Sequence, residues 1–168
     1  MELPERRPNR LKGYDYGVGA YFVTICTYDR KCILSDIHVG EGLAPPVEIK
    51  LTPYGKVAEE QLLDLQRRYS SVQISKYVIM PNHIHAIIQI WDNREEAGGA
   101  SPSPTLMDVI RVFKSMTPRL CGKMKPGEKI FQRSFHDHVI RNENDWREIW
   151  EYIEPNPRSW MQDEFYIS

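Results

Sequence analysis

The sequence predicts an α+β fold, a mostly antiparallel sheet of about four to five strands with helices packed on one face. Three observations lead there. Apolar patterning switches between period two and period 3.6 in the order β-β-α-β-β-α-β-α. Pro81 and Asn82 separate two β-branched runs and set them up as an antiparallel hairpin. A chain of 168 residues with 41% hydrophobic content suffices for one core and is short for two, so residues 1–168 are expected to form one domain.

The elements follow in order. "AYFVTICTYDR" (20–30) is rich in β-branched and aromatic residues and reads as a first strand. "KCILSDIH" and "PPVEIKLT" form a second, interrupted strand or a hairpin, with 40–46 as its loop. In "TPYGKVAEEQLLDLQRRY", Thr52 can cap, Pro53 suits the first turn, and Val57, Ala58, Gln61, Leu62 and Leu65 set a helical rhythm. "VQISKYVIM" and "HIHAIIQIW" are the hairpin strands. "DNREEAGGASPSP" (92–104) is polar and aperiodic, a mobile connecting loop. Next, "TLMDVIRVFKSMTPRLCG" is an amphipathic helix with Thr105 and Asp108 as a capping box and Leu106, Val109, Ile110, Phe113 and Met116 as its stripe. "KIFQRSFHDHVIRN" is strand-like. "NDWREIWEYIEPNPRSW" closes the chain as a helix whose buried stripe is Trp146, Ile149, Trp150 and Ile153.

Composition narrows the function classes. No apolar run approaches the ~18 residues of a membrane span, and no signal-like segment opens the chain, so a soluble, cytoplasmic protein is expected. Cys26, Cys32 and Cys121 fit no Cys-x-x-Cys pattern and read as reduced, buried hydrophobes. Charge is balanced overall, at −1, but unevenly distributed. Between Arg111 and Arg141 eight basic residues face two acidic ones, a net of +6 that leaves −7 elsewhere. That segment can meet phosphates although the whole chain is not basic.

Within the apolar run "MPNHIHAII", His83 and His85 sit two residues apart on a strand and therefore share a face. Two neighbouring imidazoles make half of a site for a divalent ion, or two surface residues of no further role. On the last helix, Tyr152 and Asn156 are one turn apart on the flank of the apolar stripe. They are a candidate nucleophile and a candidate oxygen ligand, or a boundary tyrosine and a turn residue between two prolines.

"GAYFVTICTYDRKCIL", "VIMPNHIHAII", "LMDVIRVFKSMTPRL", "IFQRSFHDHVIRNENDW" and "EYIEPNP", taken in that order, resemble the HUH-type single-tyrosine transposases, particularly the REP-associated tyrosine transposases. The likeness runs from about Tyr21 to Trp160 and implies a ferredoxin-like HUH fold. It also implies that Tyr152 is the nucleophile and that His83, His85 and Asn156 bind a divalent metal, Mg²⁺ or Mn²⁺. One departure from the pattern is Pro155, which removes a helical hydrogen bond between Tyr152 and Asn156.

The activity implied is metal-dependent cleavage and strand transfer of single-stranded, hairpin-forming DNA through a 5′-phosphotyrosine. A non-catalytic DNA-hairpin binder is the alternative, and a homodimer is among the assemblies the family uses. The expected DNA contacts are Arg111, Lys114, Arg119, Lys123, Lys125, Arg133, His138 and Arg141, with Phe113 and Phe135 as stacking partners. Arg6, Arg7, Arg10 and Lys12 are expected to assist from the N-terminal arm.

Overall fold

The computed structural model describes residues 11, 13–43, 46–93 and 102–167. Arg6, Arg7, Arg10, Lys12 and the middle of the 92–104 loop lie outside them. Among the described residues six strands and three helices follow the expected order, with the second expected strand region formed as a hairpin: β1 (Gly19–Cys26), β2 (Ser35–Val39), β3 (Val47–Leu51), α1 (Pro53–Arg68), β4 (Val72–Ile79), β5 (His83–Ile90), α2 (Leu106–Cys121), β6 (His136–Ile140) and α3 (Glu143–Ile153). Strands β4, β5, β1 and β6 make one antiparallel sheet in that spatial order, while β2 and β3 form a separate two-stranded sheet among the described residues. Without that hairpin and the final helix α3 the order is β-α-β-β-α-β, the ferredoxin-like arrangement that the resemblance implies.

Local chemistry fixes the helix starts. The Thr52 hydroxyl accepts from the Gly55 amide with Pro53 in the first turn, and the Thr105–Asp108 capping box is complete in both directions. Gly55 is the one residue that fits its position, because a Cβ there would stand 1.9 Å from the Leu34 carbonyl oxygen.

The sheet is covered on both faces, which corrects the expectation of helices on one. Tyr21, Val23 and Ile25 of β1 and Ile84, Ala86 and Ile88 of β5 pack with α1 and α2. On the other face Val78, Met80 and Ile87 meet Ile153 of α3 and Trp160 beyond it. Every residue of β5 from His83 to Ile88 is buried, as a strand sandwiched between layers must be. α3 also differs from expectation. It ends at Ile153, ahead of Pro155, and only Ile153 of its stripe is fully buried. Trp146, Ile149 and Trp150 cover the second core from its rim. Phe113 and Phe135 belong to the first core; Phe113 is fully buried and closed to any base, while Phe135 edges a groove beside α2. Of the cysteines, Cys26 and Cys121 are buried and Cys32 is exposed.

Candidate active site

The site is assembled on the α3 face of the two central strands. Antiparallel register sets Cys26 against His83 and Thr24 against His85. Because side chains alternate, both imidazoles point away from the α1/α2 layer. The two rings lie 4.5 Å apart between centroids and their Nε2 atoms 3.1 Å apart.

Hydrogen bonds on the far sides of the rings define which nitrogens are presented. The Asn82 amide nitrogen donates to the Phe165 carbonyl at 2.7 Å, which turns Asn82 Oδ1 toward His83. A carbonyl oxygen only accepts, so His83 Nδ1 carries the proton, at 2.9 Å, and Nε2 offers a lone pair. His85 Nδ1 meets the Thr24 hydroxyl at 2.9 Å, again leaving Nε2 as the atom aimed at the site. Burial and the neighbouring His85 push His83 down to about 2, and burial pushes His85 down to about 4. Both rings are therefore neutral near pH 7, the form in which imidazole binds a metal.

A carboxylate joins them from the C-terminal tail. Asp163 Oδ2 lies 3.9 Å from His83 Nε2, and its Oδ1 accepts from the Phe165 amide at 2.7 Å. One ligand atom each from His83, His85 and Asp163 lies within 4.8 Å of the others. Burial raises the Asp163 carboxyl, a cost that a nearby cation would offset. Sequence reading missed Asp163. It sits 78 residues beyond His85 in a tail without periodicity, which the His83–Phe165 ring contact at 4.7 Å and the Asn82–Phe165 hydrogen bond bring over the strand.

Tyr152 stands at the mouth. Its ring is 5.4 Å from that of His85 and 6.0 Å from that of Phe22, with 44% of the residue exposed. Burial of its ring side raises the phenol, and a hydrogen bond with Asn156 works against that rise. Asn156 is buried, and its Oδ1 has no hydrogen-bond partner among the described residues. A buried amide oxygen without a donor is costly unless a cation or donor reaches it. The break at Pro155 does not separate the pair, because turns continue past the helix end through Asn156 and Ser159.

The donor set fits a divalent ion. Two imidazole nitrogens about 2.1 Å from one ion and at right angles to each other stand about 3 Å apart, close to the observed Nε2 separation. Neutral nitrogens, a buried carboxylate and an orphaned amide oxygen match a borderline ion such as Mn²⁺ or Zn²⁺ and leave room for Mg²⁺.

The basic segment is placed less uniformly. Arg111, Lys114 and Arg133 line a groove of about 420 Å³ beside α2. The Lys114 ammonium there donates to the Gln132, Arg133 and Ser134 carbonyls and braces the approach to β6. Arg119, Lys123 and Lys125 are exposed at the end of α2 or just beyond, and Lys125 pairs with Glu128 at 3.2 Å. None of these lies on the His83 face. β6 does reach it: His138 is directly opposite Phe22, and its Nε2 is 2.9 Å from Asp145. Arg141 is exposed beyond the strand, its amide donating to Asp145.

No protein-family model matches the chain. An uncharacterised protein of Haemophilus influenzae is 29% identical over 178 residues, a match covering 98% of this chain and 95% of that protein. Among solved structures, the REP-associated tyrosine transposase bound to a REP hairpin superposes with a TM-score of 0.62 at 20% identity, covering 89% of this chain and 73% of that one. A candidate transposase from Deinococcus radiodurans R1 superposes with a TM-score of 0.50 at 16% identity, covering 86% of this chain and 95% of that one. At these identities the solved structures establish the architecture: the chain has the fold of a tyrosine transposase.

Proposed function

We propose that this chain, acting as one domain, is a metal-dependent transposase of the HUH type that cuts and rejoins single-stranded, hairpin-forming DNA through Tyr152. The observation that carries the reading is a tyrosine ring 5.4 Å from one of two buried, neutral histidines whose Nε2 atoms converge. The shared fold adds support, since one of the solved neighbours is a tyrosine transposase bound to a REP hairpin.

The chemistry is a transesterification. The Tyr152 oxygen forms a bond to phosphorus as the 3′ oxygen leaves; the phenol gives up its proton and the released 3′-hydroxyl gains one. The product is a 5′-phosphotyrosine, and attack by a 3′-hydroxyl reverses the step and rejoins strands. A phenol with a pKa near 10 suits both directions, as a moderate nucleophile once deprotonated and a fair leaving group afterwards. His83 and His85 would hold a divalent ion, Mg²⁺ or Mn²⁺, through Nε2, with Asp163 or the Asn156 oxygen completing the set. Bound there, the ion would neutralise charge on the phosphate oxygens. Thr24 and Asn82 fix the ring orientations, Asn156 orients the phenol, and Phe22 limits where the Tyr152 ring can swing. Outside the site, Arg111, Arg119, Lys123, Lys125, Arg133, His138 and Arg141 offer contacts to the hairpin backbone. Lys114 contributes by holding the 132–134 segment. A cytoplasmic monomer or homodimer is consistent with this role.

The test is incubation with hairpin-flanked single-stranded DNA and Mn²⁺, followed by a denaturing gel. A covalent protein–DNA adduct is expected, absent from Tyr152→Phe and reduced at least 100-fold in His83→Ala. Cleavage that survives Tyr152→Phe would sink the nucleophile assignment, and binding without any adduct would leave a hairpin-binding protein.

A further inference from the structure

A groove of about 390 Å³ runs beside the histidine pair, walled by Phe22, Thr24, Arg30, His136, His138 and Phe165. It opens on the face that carries His83 and His85, because Phe22 and Thr24 share the side of β1 that touches them. Its size suits one nucleotide rather than a duplex. Aromatic rings and a cation along one furrow are the combination that accepts unpaired nucleic acid.

Arg30 is held there by unusual means. Asp29 and Arg30 both have φ of +53°, in the left-handed region that non-glycine residues rarely enter. Strain of this kind persists only where the surroundings impose it. Here they do. The Thr27 amide and hydroxyl are both tied to the Asn82 carbonyl at 2.9 and 3.0 Å, and the Arg30 amide closes back on the Thr27 carbonyl at 3.2 Å. The guanidinium lies 4.9 Å over the Phe165 ring, with Nη1 3.5 Å from the Glu164 carbonyl. No carboxylate forms an ion pair with Arg30 among the described residues. The turn after β1, tied through Thr27 to the Asn82 turn that presents His83, thus carries a cation in a strained conformation beside the site. Asp137 and Glu164 also line the groove, which makes Arg30 the group that decides whether an anion enters.

We infer that Arg30 is the phosphate-binding residue of this groove, holding the phosphodiester of one unpaired nucleotide next to the bond that Tyr152 attacks. This rests on the function proposed above. Phe22 and Phe165 give that nucleotide apolar walls, and the planar guanidinium gives two parallel donors to its phosphate. The DNA path then crosses the sheet edge at β6 rather than running only along α2.

The experiment is fluorescence anisotropy with a labelled hairpin bearing unpaired flanks, in EDTA, from 50 to 300 mM salt, with adduct formation in Mn²⁺ measured separately. Arg30→Gly removes the cation and relieves the left-handed backbone. It is expected to melt no lower than the parent, yet to bind about tenfold more weakly with a log–log salt slope reduced by about 0.7, one phosphate's worth for a single strand. Arg30→Lys should recover the slope but not the full affinity. An unchanged slope and affinity in Arg30→Gly would overturn the assignment. If the parent binds with the steeper slope but forms no adduct, the transesterification is lost and the Arg30 contact stands; if the parent binds no DNA, both fall.

Discussion

The atom that decides the tautomer of His85 belongs to Thr24. When the hydroxyl donates to Nδ1, the ring must carry its proton on Nε2, where it meets His83 Nε2 at 3.1 Å; when the hydroxyl accepts, Nε2 is bare. Binding an ion therefore requires the second arrangement, and Thr24 is the partner that permits it. Thr24→Val keeps the shape, removes the acceptor, and is expected to weaken metal binding by about 10–100-fold. The Mn²⁺ concentration needed to raise the melting temperature reads this directly, and an unshifted midpoint would show that the hydroxyl has no part in it. The histidines themselves were legible in the sequence because strand periodicity alone places them on one face. Tyr152 and Asn156 were legible as a pair one turn apart. Asp163 was not, since nothing local distinguishes an acidic residue in an aperiodic tail from one that folds back over a strand 78 residues earlier.

Elements were readable where a local signal specifies them and ambiguous where only packing does. The caps of α1 and α2, the Pro81–Asn82 turn and the β4–β5 hairpin follow from short-range chemistry. Which face of the sheet α3 covers does not, because an apolar stripe shows that a helix is buried against something without naming it. The interior character of β5 held that information: a run buried on both sides needs two layers. Phe113 was read as a stacking residue although it lies on the α2 stripe, and the bracing role of Lys114 was not legible because the carbonyls it holds come from a segment 18 to 20 residues away. At α1 the helix approaches the Leu34 carbonyl so closely that a methyl group has no room. Gly55→Ala, which in an open helix would stabilise, is expected here to destabilise by about 1–3 kcal/mol. Urea denaturation gives the sign, and a gain in stability would mean that α1 can shift away from Leu34.

For the whole molecule, the buried histidines connect the site to global stability. In the unfolded chain they titrate near the ordinary 6.5, whereas in the folded chain they stay neutral down to about 4 and about 2. As pH falls below about 6.5 the unfolded chain binds protons that the folded chain refuses, so stability declines toward pH 4, by up to about 1.4 kcal/mol per pH unit for each excluded proton. Asp163 acts in the opposite sense at the acid end, because its folded carboxyl takes a proton before the unfolded one does. The urea midpoint between pH 8 and pH 4.5 should therefore be flat above about 7 and fall below it; a midpoint level to pH 4.5 would mean that the rings are solvated. Asn82 adds a constraint of a different kind. Its amide joins two neighbours that read opposite ends of it, the Phe165 carbonyl at the nitrogen and the His83 ring at the oxygen. A half-turn of that amide would break both bonds together. The tail at residue 165 and the proton position on His83 are thus coupled through a single side chain.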